Sequence, residues 1–133
     1  MAFWRRFRES AKDPRHALGE RGEKEAALYL QKRGYDIVER NVRTRLGEID
    51  LIARHRGVLV FVEVKTRSSG EFAAPELSVD ERKRRKLFEL AQAYLGRLGE
   101  EVDCRFDVLG IILPPTGRPV IRHIRNAFRD EYE

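Results

Sequence analysis

Two carboxylates and a lysine interrupt two otherwise apolar stretches near the middle of the chain. The first stretch is Gly47-Glu48-Ile49-Asp50-Leu51-Ile52-Ala53-Arg54. The second, after His55-Arg56-Gly57, is Val58-Leu59-Val60-Phe61-Val62-Glu63-Val64-Lys65. Both are short and rich in β-branched and aromatic residues, and Gly57 tolerates the positive φ of a tight turn, so they read as a β-hairpin. Alternation puts Leu59, Phe61, Glu63 and Lys65 on one face of the second strand. In the first strand it puts Glu48, Asp50 and Ile52 on one face and Ile49, Leu51 and Ala53 on the other. A two-residue turn at Arg56-Gly57 pairs His55 with Val58, Ile52 with Phe61 and Asp50 with Glu63. The two carboxylates would then have Cβ atoms about 4.5–5.5 Å apart, a repulsive arrangement that needs a cation. A one-residue slip would send them to opposite faces. Lys65 and a divalent metal are the two candidate cations. Acid, acid and lysine on one face suit metal-assisted phosphodiester hydrolysis: carboxylates hold Mg²⁺, and lysine orients the attacking water or steadies developing charge. The same residues also permit a plain Glu63–Lys65 salt bridge with Asp50 solvated at a sheet edge, the commoner use of such pairs.

The elements that must position these groups are legible on either side. Residues 16–33 read as a helix stopped by Gly34, with Gly19, Ala26, Ala27 and Leu30 in one sector and Glu23 at its centre. An acid in an apolar stripe is costly without a partner. Glu23 therefore either pairs with an arginine or joins Asp50 and Glu63 as a third acid, a role it fits better than Glu20 or Glu25. Residues 35–40 read as a strand leading through Asn41 to Arg45 into the hairpin. A second helix should start at Ser78 or Asp80 and run to Leu98 before Gly99, burying Leu87, Leu90, Ala91, Tyr94 and Leu98. Its first turns carry Arg82-Lys83-Arg84-Arg85-Lys86. Arg82, Arg84 and Arg85 read as a solvated face, whereas Lys83 projects in line with Leu87 and Leu90 toward the sheet. Residues 102–113 form a further strand, in which Arg105 and Asp107 read as a structural ion pair. Residues 119–125 form a last, edge strand. The loop from Thr66 to Glu76 borders the proposed site. His55 is expected to be exposed in its turn, and Cys104 to be a small buried hydrophobe.

Bulk properties bound the possibilities. The length of 133 residues suits one modest core, and 27 Lys and Arg against 22 Asp and Glu give a net charge of +5. A basic chain with a local knot of acids can attract a polyanion and recruit the metal that lets phosphate approach. The single cysteine excludes an intrachain disulfide and a cysteine-based zinc site. No stretch has the length of a membrane span, and Arg5, Arg6 and Arg8 break any signal-peptide core, which suggests a cytoplasmic protein. Residues 1–15 read as a basic aromatic tail, 16–129 as a single α/β domain, and 130–133 as a frayed end.

Asp50 followed by Glu63-Val64-Lys65 resembles the signature of the PD-(D/E)xK nuclease superfamily, with Gly-Glu-Ile-Asp in place of its Pro-Asp. The fuller wording of residues 47–52 and of Phe61-Val62-Glu63-Val64-Lys65-Thr66-Arg67 resembles the YraN-like family of bacterial proteins, which is similar to archaeal Holliday junction resolvases. Gly22-Glu23 with Ala26 and Tyr29-Leu30, and Lys83 with Leu87 and Ala91, resemble that family's two helices. The resemblance implies an α/β restriction-endonuclease-like sandwich, a central mixed sheet flanked by helices. It implies a Mg²⁺-dependent endonuclease, with Mn²⁺ as substitute, acting on DNA and on branched DNA in particular. In that reading Asp50 and Glu63, with the Val64 carbonyl, ligate the metal. Lys65 positions water, and Glu23 adds a ligand or a water contact. Arg67, Lys83, Arg84 and Arg45 hold backbone phosphates. Junction cleavage would require two sites, hence a homodimer. The competing reading is a nucleic-acid-binding or adaptor module that keeps the fold without turnover.

Overall fold

The computed structural model describes residues 5–6, 14–70 and 79–128. The expectations for the rest of the N-terminal stretch, for residues 71–76 of the loop, for Ser78 as a cap and for the C-terminal end lie outside them. The chain runs β1 (Arg5–Arg6), α1 (Pro14–Lys32), β2 (Asp36–Thr44), β3 (Gly47–His55), β4 (Val58–Arg67), α2 (Glu81–Leu98), β5 (Cys104–Ile112) and β6 (Val120–Ile124). The strands form one mixed sheet in sequence order. Every neighbouring pair is antiparallel except β4 and β5, which are parallel. A parallel neighbour cannot be reached by a tight turn, so α2 serves as the crossover.

The β3–β4 hairpin has the anticipated register: His55 pairs with Val58 and Ile52 with Phe61. Arg56 at φ 50° and Gly57 at φ 79° form the turn, both in the left-handed region that two-residue hairpins require. The second helix is capped as expected. Asp80 accepts from the Lys83 N–H, and Gly99, at φ 69°, donates its N–H to the Leu95 carbonyl. Its buried stripe also includes Phe88, while Leu98 is only partly buried.

The core has two layers. Ala26, Ala27 and Leu30 of α1 cover one sheet face with Leu51, Ala53, Val60, Val62, Leu109 and Ile111. Leu87, Phe88, Leu90, Ala91 and Tyr94 of α2 cover the other, with Ile52, Leu59, Phe61 and Val108. Among the described residues no helix is long and apolar enough to cross a membrane.

Several expectations need correction. The first helix begins at Pro14 rather than residue 16, because proline's missing N–H costs nothing in a first helical turn. Arg5–Arg6, within the stretch read as a tail, pairs with Arg43 and Val42. Strand β2 continues to Thr44 rather than stopping at 40. Ile49 and Leu51 do not share a face: Ile49 lies in the α2 layer and Leu51 in the α1 layer. Opposite this break, between the pairs Arg40–Leu51 and Val42–Ile49, stands Asn41 at φ 52°. A left-handed residue inside a strand re-aims the chain beyond it, and asparagine tolerates that conformation. His55 is buried rather than exposed, its ring stacked on Tyr35 at 3.9 Å. Cys104 is exposed at the start of β5 instead of buried.

Candidate functional site

The hairpin ladder stops at Leu51–Val62, one pair short of the acids. The next β4 amide on that side, Val64 N–H, donates instead to Asp50 Oδ2 at 2.8 Å. This bond fixes the Asp50 carboxyl in the gap where β3 and β4 part, beside Glu63. Glu63 stands close enough to act on the Asp50 carboxyl through its charge. Burial, then the charge of Glu63, hold Asp50 well above the usual carboxylate range, against the Val64 amide that favours its ionised form. A second carboxylate beside it in a poorly solvated gap thus favours the protonated form of Asp50.

Glu63 is buried, and its ion-pair partner is Lys83 of α2 at 3.3 Å rather than Lys65. Asp80 sets the start of α2 and so sends Lys83, three residues on, toward the sheet. Lys65 is half-buried and forms no ion pair among the described residues. The strand-end Glu63–Lys65 bridge weighed from the sequence is therefore not the arrangement adopted.

Glu23 approaches from the other layer. Its carboxyl is raised from 4.5 to about 7, first by burial and then by the charges of Glu48, Glu63 and Glu20, while a hydrogen bond from Asn41 acts in the opposite direction. Gly22 makes this approach possible. A Cβ at Gly22 would collide with Thr66 Oγ1 and stand 2.7 Å and 2.8 Å from Thr66 Cγ2 and Cβ. Only glycine lets α1 come this close to β4 next to Glu63 and Lys65.

The remaining basic residues are dispersed. Arg45 is exposed in the β2–β3 turn, and Arg67 is exposed at the end of β4. Arg84 is half-buried rather than wholly solvated: Nε donates to the Val79 carbonyl at 2.9 Å, and its guanidinium lies over the Phe128 ring. Arg105 and Asp107 form the expected structural ion pair at 3.0 Å.

Among the described residues no three His, Cys, Asp or Glu side chains are gathered closely enough to hold a metal ion. Mg²⁺, however, is ordinarily held by one or two carboxylates, with water and substrate phosphate completing its shell. The Asp50 and Glu63 carboxyls, side by side, suit that cation.

Residues 22–111 match the model of an uncharacterised protein family, UPF0102. The chain belongs to the UPF0102 family. It is 53% identical over 112 residues to a UPF0102 protein of Symbiobacterium thermophilum, covering 84% of this chain and 95% of that one. It is 48% identical over 117 residues to one of Desulforamulus reducens, covering 85% and 96%. A third UPF0102 protein, from Geobacter sulfurreducens, is 46% identical over 116 residues, covering 86% and 91%. UPF0102 is the YraN-like family that the two hairpin stretches resemble. Glu23, Asp50, Glu63, Lys65 and Lys83 all fall within the UPF0102 match. Sequence reasoning missed Asn41 and Glu48, which act on Glu23; the signal for Asn41 was an asparagine, tolerant of left-handed backbone, directly after the expected strand.

Proposed function

We propose that this UPF0102 protein is a Mg²⁺-dependent phosphodiesterase acting on DNA. The observation that carries the reading is the adjacent Asp50 and Glu63 carboxyls, with a half-buried Lys65 that is not consumed in an ion pair among the described residues. Asp50, Glu63 and the Val64 carbonyl would hold the metal. When bound, Mg²⁺ supplies charge to neutralise the phosphate and to acidify water. Lys65 orients the attacking water and stabilises charge developing on the phosphate oxygens. Glu23, poised at about 7, accepts a proton at neutral pH or adds a water contact. Lys83 holds Glu63 in place and is the nearest cation to meet a scissile phosphate once that bond yields. Arg45, Arg67 and Arg84 contribute positive field along the approach.

Branched DNA is the substrate class suggested by the likeness to junction resolvases, and cutting a junction symmetrically would use a homodimer. The decisive test is a cleavage panel of linear, flapped and four-way DNAs with Mg²⁺ or Mn²⁺, with Asp50→Asn as control. Product with the parent chain and none with the variant supports the reading. Absence of product on every substrate refutes it. A second reading, binding without turnover, is favoured by one observation: Lys83 already occupies Glu63. Binding across the panel without product would select it. Under either reading affinity should fall steeply with salt.

A further inference from the structure

A second concave site lies at the turn end of the same hairpin. His55 stands five positions along β3 from Asp50, about 17 Å at roughly 3.4 Å per residue. A cavity of about 350 Å³ opens there, lined by Arg33, Arg56 and Arg125; the Arg33 guanidinium lies over the Tyr29 ring at 3.7 Å and donates to the Tyr29 carbonyl at 3.4 Å. All three residues are exposed, and none forms an ion pair with a carboxylate among the described residues. The rest of the lining is aromatic. Tyr35 and His55 are stacked with their planes 3° apart, and Tyr29 meets His123 edge to face at 5.6 Å.

The acid behind this lining does not offset the arginines, because it is neutralised where it stands. Asp107 is fully buried and accepts from His123 Nε2 at 2.8 Å, Arg105 Nε at 3.0 Å and the Asn126 N–H at 3.0 Å. Arg125 Nη2 donates to His55 Nδ1 at 3.3 Å, so that imidazole is neutral with its other nitrogen protonated. The charges of Arg105, Arg125 and Arg56 reinforce burial in holding His55 in its neutral form. The cavity therefore presents an excess of planar, bidentate phosphate donors against flat aromatic walls, in a volume suited to a small ligand. Guanidinium groups answer a phosphate, and rings answer a base.

The geometry points to this cavity as a nucleotide-binding site, with the phosphate on Arg33, Arg56 and Arg125 and the base against the tyrosine and histidine rings. The nucleotide is either a free mononucleotide or the phosphorylated end of a strand. The assignment does not depend on hydrolysis at Asp50 and Glu63.

The test is calorimetry on the full chain in EDTA with 5′-dAMP, deoxyadenosine and inorganic phosphate. The expected result is saturable dAMP binding, weakened at least tenfold by Arg33→Gln combined with Arg125→Gln. Deoxyadenosine should not compete, and inorganic phosphate should bind at least tenfold more weakly than dAMP. Both arginines are exposed, and circular dichroism of the double variant checks that the fold survives; Arg33→Gln alone serves if it does not. A 5′-phosphorylated oligonucleotide that displaces dAMP, where its unphosphorylated twin does not, identifies a strand end. Displacement by neither identifies a free nucleotide. Three results overturn the proposal: no dAMP binding at millimolar concentration, unchanged dAMP affinity in the arginine variants, or equal affinity for dAMP and inorganic phosphate.

Discussion

Replacing Glu23 with Gln should stabilise the metal-free protein at alkaline pH and do little in acid. The carboxyl of Glu23 is raised from 4.5 to about 7 in the folded chain, so the fold prefers it protonated. Between those two values the native state binds more protons than the unfolded state, and stability falls as pH rises. The penalty is small below about 4.5 and complete above about 7. The full difference converts to roughly 3.4 kcal/mol at about 1.36 kcal/mol per pH unit. Solvent reaches this partly exposed side chain, and screening reduces the expected gain to about 1–2 kcal/mol. Glutamine keeps the size of the side chain and can still hydrogen-bond Asn41, so the loss of charge is the main change. The assay is urea denaturation of both proteins in EDTA at pH 4.5 and pH 8. Glu23→Gln should be more stable by that amount at pH 8 and nearly equal at pH 4.5. Equal stability at both pH values, or a variant less stable at pH 8, would refute the argument that burial, and then the charges of Glu48, Glu63 and Glu20, penalise the ionised form of Glu23.

Three further outcomes follow from the same geometry. Lys83→Met frees Glu63 from a pair that is half exposed on the lysine side; Mg²⁺ should then stabilise the fold at a concentration lower by up to about fivefold, the worth of an exposed ion pair, as read by thermal shift against MgCl₂. Gly22→Ala drives a methyl group into Thr66 and should cost about 1–3 kcal/mol in denaturant titration, with partial recovery in the Gly22→Ala, Thr66→Ala double variant. Asp107, lowered below its ordinary value chiefly by His123, Arg105 and the Asn126 amide against the cost of burial, contributes stability that is complete above the ordinary Asp value and lost as pH falls through the lower folded one. Asp107→Ala should therefore destabilise by about 3–5 kcal/mol at pH 7, because it strands Arg105 and His123, and the difference from the parent should shrink in strong acid.

The limits of sequence reading in this chain track the range of the forces involved. The ends of α2 were legible because Asp80 and Gly99 act on backbone groups within four residues of themselves. The hairpin register was legible because Arg56-Gly57 fixes it locally, and that register sufficed to bring Asp50 and Glu63 into range. What failed depended on a neighbour distant in sequence. His55 looked exposed because its turn is polar, yet Tyr35, twenty positions earlier, covers it. Of the two lysines near Glu63, the one two residues away does not reach it, and Lys83, expected to project toward the sheet, does.

The break at Asp50 is the most informative failure. Strict alternation would have aimed Asp50 squarely into the α2 layer, among Ile52 and Phe61, where an ionised carboxylate is unaffordable without a partner. The turn of the chain opposite Asn41 instead lets Ile49 fill that layer and leaves Asp50 in the parting between strands, where a backbone amide meets it. The irregularity thus removes a conflict that a regular hairpin would contain. It gives one of two acids at a repelling spacing a backbone amide as partner. The deviation from the pattern, more than the pattern, is what gives the acids their chemistry.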